Sequence, residues 1–312
     1  MVGRVTSIVT GAAGFIGRAL TSALLSSGSP VVAIDRRPVE ERPGLTVITA
    51  DLLDVSDVFS DADAVYHLAG CAGVRDAAPG IGWRRQRDNV LAGARVLAIT
   101  PPGVPLLVTS SSSVYGGALR GRSGGESDPG GGVSRGRSGA QFGAVRPSAE
   151  SDPLRPIGGY AMSKVALERL CRDRPGVTIV RPFTVAGEGQ RPDMALSVWL
   201  RAAQEGRPLR VLGSLDRTRD ITDVRQAARA MIELIGVPGI VNLGTGHGQT
   251  LRSMAEAVAT VTGASLTFDV VPAPPDEPGD SLADTRRLHS LLGWTPRTDL
   301  LDLVRRQQLV VS

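Results

Sequence analysis

Short apolar runs rich in β-branched residues alternate with stretches of helical spacing along most of the chain. Residues 5–10 form the first such run and read as a strand; helical spacing follows over 19–25. The strand pattern returns at 30–35, 45–50, 64–69 and 106–109. Residues 84–100 have helical spacing, with Asn89, Val90, Val96 and Leu97 as candidates for the inward face. A helix ending near Cys171 leads into a sixth strand over 177–181, which Pro182 ends. Between Phe183 and Arg219 the alternation loosens, leaving a helix near 194–203 and a short strand at 209–211. A helix at 224–235, a strand at 240–243, a helix from Leu251, a strand at 266–271, a proline-rich loop and two closing helices complete the chain. Alternation on this scale predicts an α/β fold, a doubly wound parallel sheet with a smaller C-terminal lobe.

One stretch breaks the pattern. Residues 118–146 are rich in Gly, Ser and Arg, and Arg120-Gly-Arg-Ser-Gly124 recurs at 135–139. Low apolar content predicts a surface insertion, long enough to serve as a flexible lid. RGG-type segments bind single-stranded RNA, but two copies are few, and the preferred reading is a solvated loop with no nucleic-acid partner.

Charge and cysteine content narrow the classes. The net charge of +4 suits anionic ligands but is too diffuse to indicate nucleic acid. The two cysteines, Cys71 and Cys171, stand far apart without ligand spacing, so neither a disulfide framework nor a metal site is expected. A reducing cytoplasm fits this usage. No leader pattern opens the chain and no apolar run reaches membrane-spanning length, so no membrane partner is expected.

Among 35 lysines and arginines, Lys164 is the only lysine. It stands four residues after Tyr160 in Tyr160-Ala-Met-Ser-Lys164, so a helix stacks the two on one face. A free phenol is only about 0.1% ionised at neutral pH, and a fixed ammonium beside it favours the charged form. The alternative is a surface helix with one chance lysine. Earlier in the chain, Gly11-Ala-Ala-Gly14-Phe-Ile-Gly17 lies between the first strand and its helix. That context favours a phosphate loop, in which glycines let the backbone approach a pyrophosphate at a helix N-terminus.

Asp35 ends the second strand, where an acid accepts hydrogen bonds from an adenosine ribose and repels a 2′-phosphate, favouring NAD. Arg36 and Arg37 follow directly and could pair with such a phosphate, so NADP stays open. Asp51-Leu52 follows the third strand as a plausible adenine contact. His67, in the fourth strand, and Cys71, in the loop after it, read as packing residues. Ser110 to Ser113 either terminate the fifth strand or present hydroxyls to a sugar.

Taken together, TGAAGFIG at 10–17, Asp35, Asp51-Leu52, HLAG at 67–70, Asn89-Val90, SSSSVYG at 110–116, YAMSK, Arg181-Pro182-Phe183, Arg219-Asp220 and Leu292-Gly-Trp-Thr-Pro296 resemble the extended short-chain dehydrogenase/reductases, the NAD-dependent epimerase/dehydratase family. Within it, AGVR at 72–75, the serine run and Phe183-Thr-Val with Gly189-Gln-Arg-Pro-Asp-Met194 resemble UDP-glucuronic acid 4-epimerases. Related dehydratases carry an Asp-Glu pair where Ser112-Ser113 stand, and hydroxyls cannot replace those acids in proton transfer.

The resemblance implies a Rossmann domain over 1–181, interrupted at 118–146 and rejoined by 220–245, with 182–219 and 246–312 forming a nucleotide-sugar lobe. It implies tightly bound NAD held by Gly11, Gly14, Phe15, Ile16 and Gly17, by Asp35, Arg36, Asp51 and Leu52, by Leu68, Ala69, Gly70 and Asn89, and by Tyr160 and Lys164. Tyr160, Lys164, Ser111 and Ser112 are the implied catalytic residues, Lys164 lowering the phenol's pKa. Arg75, Ser111, Ser112, Ser113, Tyr160, Thr184, Arg191 and Arg219 are the implied substrate contacts for UDP-glucuronate and UDP-galacturonate. A homodimer is implied as well. Glu277 stands where the family usually has a second diphosphate-binding arginine, and Ala186 where it usually has tyrosine.

Overall fold

The computed structural model describes residues 6–55, 57–73, 77–118, 145–274, 277 and 279–311. The repeated RGRSG segment therefore lies outside the described residues. In chain order the elements are β1 (Ser7–Thr10), α1 (Phe15–Ser26), β2 (Val31–Asp35), β3 (Leu45–Thr49), β4 (Ala64–His67), α2 (Ile81–Arg85), α3 (Ala92–Ile99), β5 (Leu106–Thr109), α4 (Gly158–Cys171) and β6 (Val177–Pro182). There follow β7 (Thr184–Ala186), α5 (Ala195–Gln204), β8 (Leu209–Leu212), β9 (Thr218–Asp223), α6 (Val224–Leu234), β10 (Gly239–Leu243), β11 (Gly248–Thr250), α7 (Leu251–Thr262), β12 (Phe268–Val271), α8 (Arg286–Leu292) and α9 (Leu300–Val311).

Seven strands form one sheet in the order β10-β6-β5-β4-β1-β2-β3, every neighbouring pair parallel. All residues of β1, β4, β5 and β6 are buried, because helices cover both faces and each strand must be apolar on both sides. Leu20 and Leu24 of α1, Met231 of α6 and Leu288 of α8 pack on one face. On the other lie Val96 of α3 with Leu167 and Cys171 of α4. The strand order reverses between β1 and β4, which opens a crevice beyond their carboxyl ends.

A second core joins α5, α7 and α9 through Leu200, Trp199, Met254, Val258 and Leu303. Two small sheets flank it, β11-β9-β7 and β12-β8. Helix α8 buries Leu288 beneath the large sheet, although residues 246–312 read together as lobe. Among the described residues no helix is long and apolar enough to cross a membrane.

Three local features differ from the expected pattern. The span 84–100 is not one α-helix: a π turn, Gln86–Leu91, separates α2 from α3. It buries Asp88, Asn89 and Val90 in succession, which a helix with a single inward face does not do. The three-stranded sheet was not foreshadowed, because Thr218–Asp223 carries a single large apolar residue, Ile221, and its pairing depends on partners distant in sequence. Strand β6 includes Pro182, which sits at its end opposite Leu243.

Candidate active site

The loop from β1 to α1 is shaped by close backbone approaches. Gly11 has φ +73°, and a Cβ there would lie 2.6 Å from the Ala69 amide nitrogen. A Cβ on Gly17 would lie 2.1 Å from the Gly11 carbonyl oxygen. Both glycines are thus required for the first helix to sit against the β1 and β4 ends. Gly14 caps α1 without a side-chain hydrogen bond, which leaves the positive end of the helix dipole suited to an anion. The Asp35 carboxylate accepts from the Ala13 amide at 3.0 Å and from the Arg37 amide at 2.9 Å. A glycine cradle at a helix start, with an acid at the end of the next strand, fits a dinucleotide.

Arg36 is not a free cation. Its guanidinium donates to Asp88 at 2.8 Å and lies 3.7 Å from Asp51. Arg87 bonds Asp51 at 2.6 Å and Asp88 at 3.0 Å. Burial works against the Asp51 charge, but the Leu53 amide and Arg87 hold its carboxyl below the usual range. Arg37 lies 3.6 Å from Asp35.

Helix α4 carries the other half of the site. Lys164 is 5% exposed and donates to the Thr109 carbonyl at 2.8 Å. Its Nζ lies 3.6 Å from where a side chain on Gly70 would begin. Burial pushes its pKa down to about 8, and the Glu168 carboxylate one turn further opposes that fall. Tyr160 is partly exposed as a residue, while its hydroxyl end is enclosed.

The expected effect of Lys164 on the phenol is corrected here. Burial holds the Tyr160 pKa above its ordinary value, and the groups that pull it back are a hydrogen bond from Ser111 and the charges of Arg191 and Arg85. Lys164 Nζ stands 6.0 Å from the centre of the Tyr160 ring, and its proton is directed at the backbone of β5. Coulomb attraction over that distance does not offset desolvation of the phenolate.

The serine run turns at the end of β5. Ser111 accepts from the Ser113 amide at 3.1 Å, which fixes the turn Ser112–Tyr115. Ser110 instead points into the protein and donates to Glu168 at 2.5 Å. Glu168 also takes two hydrogen bonds from Arg181, at 2.8 and 2.7 Å, and Arg181 reaches the Tyr115 hydroxyl at 2.8 Å. Tyr115 in turn donates to Asn242 at 2.7 Å. This buried network ties β5, β6, β10 and α4 together.

These parts open on one cavity of about 1180 Å³. A pocket for a single drug-sized ligand is roughly 300–1,000 Å³, so this cavity lies just above that range. Gly11, Gly14, Phe15, Ile16 and Gly17 line it with Asp35, Arg36, Asp51, Leu52, Leu68, Ala69 and Gly70. Ser111, Ser112, Ser113, Tyr160, Lys164, Thr184, Arg191 and Arg219 line it as well.

Asn89 is not among the residues that line the cavity. Its side chain accepts from the Cys71 amide at 2.7 Å and donates to the Cys71 carbonyl and to Ser163, so it shapes the loop after β4 from behind. Arg75 lies outside the described residues. His67 is buried, hydrogen-bonded to Thr10 at 2.8 Å and pushed by burial to a pKa of about 3, which agrees with a packing role.

Arg219 is anchored before any ligand is considered. It pairs with Glu277 at 3.2 Å and donates to the Thr218 and Gly279 carbonyls. The neighbouring Asp220 carboxylate is fully buried and accepts from the Thr245 and Gly246 amides, the Thr245 hydroxyl and the Ala283 amide. Arg191 forms an exposed pair with Asp193 at 3.0 Å. Sequence reasoning missed Arg85, which is buried, donates to the Gly73 carbonyl at 2.7 Å and favours the Tyr160 phenolate. Nothing in its local pattern marks it. It also missed Glu168, which continues the stripe of Tyr160 and Lys164 at four-residue spacing and was legible by that periodicity.

A doubly wound parallel sheet, a glycine cradle at its switch point and a tyrosine and lysine facing it across one cavity define a dinucleotide-linked enzyme of the short-chain dehydrogenase/reductase type. Residues 7–244 match the model of the NAD dependent epimerase/dehydratase family. The chain belongs to that family. It is similar to MoeE5, solved in complex with UDP-glucuronic acid and NAD, at 32% identity and TM-score 0.81 over 97% of this chain and 98% of that one. UDP-glucuronic acid 4-epimerase from Bacillus cereus, solved with UDP-glucuronic acid and NAD, superimposes with TM-score 0.81 at 26% identity, covering 98% of this chain and 99% of that one. An uncharacterized UDP-glucose epimerase, YtcB of Bacillus subtilis (strain 168), is 27% identical over 95% of this chain and 94% of its own length.

Proposed function

We propose that this chain interconverts the C4 epimers of a UDP-hexuronate, UDP-glucuronate and UDP-galacturonate, using tightly held NAD. The observation that carries the reading is Tyr160 in hydrogen-bond contact with Ser111, beside Lys164 and facing Thr184 and Arg191 within one cavity, with serines at 112 and 113. The glycine cradle and Asp35 would hold the dinucleotide. When bound, NAD supplies a reversible acceptor for the C4 hydrogen and a positive charge at its nicotinamide ring.

Tyr160 takes the proton from the sugar 4-hydroxyl and later returns it to the 4-keto oxygen, the hydrogen lost from C4 being restored on the opposite face of the sugar. Ser111 donates to the reacting oxygens, and Arg191 and Arg85 reduce the cost of a buried phenolate. Lys164, tied to the Thr109 carbonyl, keeps an ammonium at the ribose end. Thr184 and Arg191 suit a sugar carboxylate, which wants donors and a cation. No side-chain acid stands at 112 or 113 to move protons for elimination, which favours epimerisation over dehydration. Arg219 would meet the diphosphate, sharing its guanidinium with Glu277.

A ketoreductase on the same scaffold would draw on Arg36 and Arg37 as cations for NADPH, and both are engaged with carboxylates. Two copies are proposed to pair through α2 and α4, where Trp83, Met162 and Leu170 are 65%, 61% and 42% exposed. Light scattering on the purified chain tests this: a dimer is expected, a monomer rejects it. For the reaction, small molecules released from purified protein are identified by mass spectrometry, and the protein is then incubated with UDP-glucuronate. Formation of UDP-galacturonate without added or consumed cofactor is expected. Net reduction of NAD in proportion to product rejects the reading.

A further inference from the structure

The four side chains Arg36, Asp88, Arg87 and Asp51 close a ring of alternating sign drawn from three places: the end of β2, the end of β3 and the π turn. All four line the cavity. Asp88 is the fixed member: its side chain is 8% exposed, whereas Arg36 is 54% exposed. The exposed cation is therefore held by an enclosed anion. The π turn makes this possible, because it buries Asp88 and Asn89 together, the first facing the ring and the second pinning the loop after β4.

The ring bears on which dinucleotide the site accepts. A 2′-phosphate beside Asp35 would add close to two negative charges next to a carboxylate, and it needs a cation to be tolerated. Arg36 is the obvious candidate by sequence. To serve, it would have to leave Asp88 and Asp51, stripping a nearly enclosed carboxylate of one of its two arginines. Arg37 is turned toward Asp35 itself.

We propose that Asp88, with Arg87 and Asp51 completing the ring, is a specificity-determining residue that withholds Arg36 from a 2′-phosphate and so selects NAD over NADP. The proposal rests on the dinucleotide reading given above, but it concerns neither the sugar nor the chemistry. It is therefore tested by binding alone. Asp35 must first be replaced, since its own carboxylate would mask the effect.

Calorimetric affinities for NAD+ and NADP+ are measured on Asp35→Ser and on the double variant Asp35→Ser/Asp88→Asn, after exchange of any retained nucleotide. Freeing Arg36 for a charge-assisted pair with phosphate is expected to tighten NADP+ by about 10- to 100-fold in the double variant over the single one, with NAD+ affinity changing little. Adding Arg36→Ala should abolish that gain. A second comparison is independent of whether Asp88→Asn folds well, because it touches only an exposed residue. With Asp88 intact, Asp35→Ser/Arg36→Ala should bind NADP+ as Asp35→Ser does. An NADP+ affinity that drops on losing Arg36 while Asp88 is present, or one that fails to rise on losing Asp88 while NAD+ binding persists, overturns the proposal. Failure of the native chain to bind either nucleotide removes the dinucleotide reading, and the proposal with it.

Discussion

Two clusters built from the same chemistry, arginine against carboxylate, differ in the access of their arginines to water. Behind α4, Arg181 and Glu168 have side chains 2% and 6% exposed, and their hydrogen bonds extend to Ser110 and Tyr115. In the cavity wall, Arg36 and Arg87 are 54% and 29% exposed around Asp51 and Asp88. An enclosed charge whose partner is removed has no solvent to replace it, whereas a half-exposed one is rehydrated. The first cluster therefore secures the fold around the cavity, and the second is the one proposed above to select the dinucleotide.

The comparison is broken most directly through stability. Arg181→Met should cost roughly 3–5 kcal/mol by stranding Glu168, whereas Arg36→Ala, which leaves Asp88 its second arginine, should cost about 1–2 kcal/mol. Thermal unfolding of the two variants checks this, and equal losses would erase the distinction. Next in size is a change that leaves both clusters intact. Tyr160→Phe should lower epimer formation by about 10²–10⁴-fold without lowering the unfolding temperature, and a variant that keeps native turnover would remove the tyrosine from the chemistry.

A pH titration sharpens the comparison, because Lys164 sits beside the buried cluster. Its folded pKa, pushed down to about 8 from 10.5, means the unfolded chain holds that proton more tightly. The destabilising contribution of Lys164 is present in full below about pH 8 and is relieved as pH rises from there toward 10.5. Turnover that needs the ammonium runs the other way and falls through the same interval. Opposite slopes of kcat and of unfolding temperature above pH 8 are expected, and Lys164→Met should remove the Lys164 part of the stability slope. The smallest effect is the response to salt. Shortening the Debye length from about 10 Å at 0.1 M to about 3 Å at 1 M should narrow the preference for NAD+ over NADP+ by a few-fold, while leaving the Arg181–Glu168 contribution to unfolding unchanged.

Features written in local patterns were legible before any coordinates. The apolar runs of β1, β2, β4, β5 and β6, the glycines of 11–17 and the four-residue spacing of Tyr160 and Lys164 follow from periodicity and from backbone sterics, which act over a few residues. The small sheet of β7, β9 and β11 was not legible, because Thr218–Asp223 is mostly polar and becomes a strand only through its pairing. Arg85 and Asp88 gave no signal either: each looks like an ordinary helix-surface charge until the π turn and the fold bury it.

By itself, then, the order of residues determined the parallel sheet, the glycine cradle and the presence of one tyrosine and one lysine on a shared helix face. Tertiary structure alone decided how those groups are charged. Burial raises the Tyr160 phenol and lowers Lys164, Ser111 and Arg191 answer the first, Glu168 answers the second, and two acids drawn from distant segments occupy Arg36. The physical reason is that periodicity and backbone freedom are properties of neighbours along the chain, whereas the energy of a charge depends on how much water remains around it and on which opposite charges the fold brings within a few ångströms.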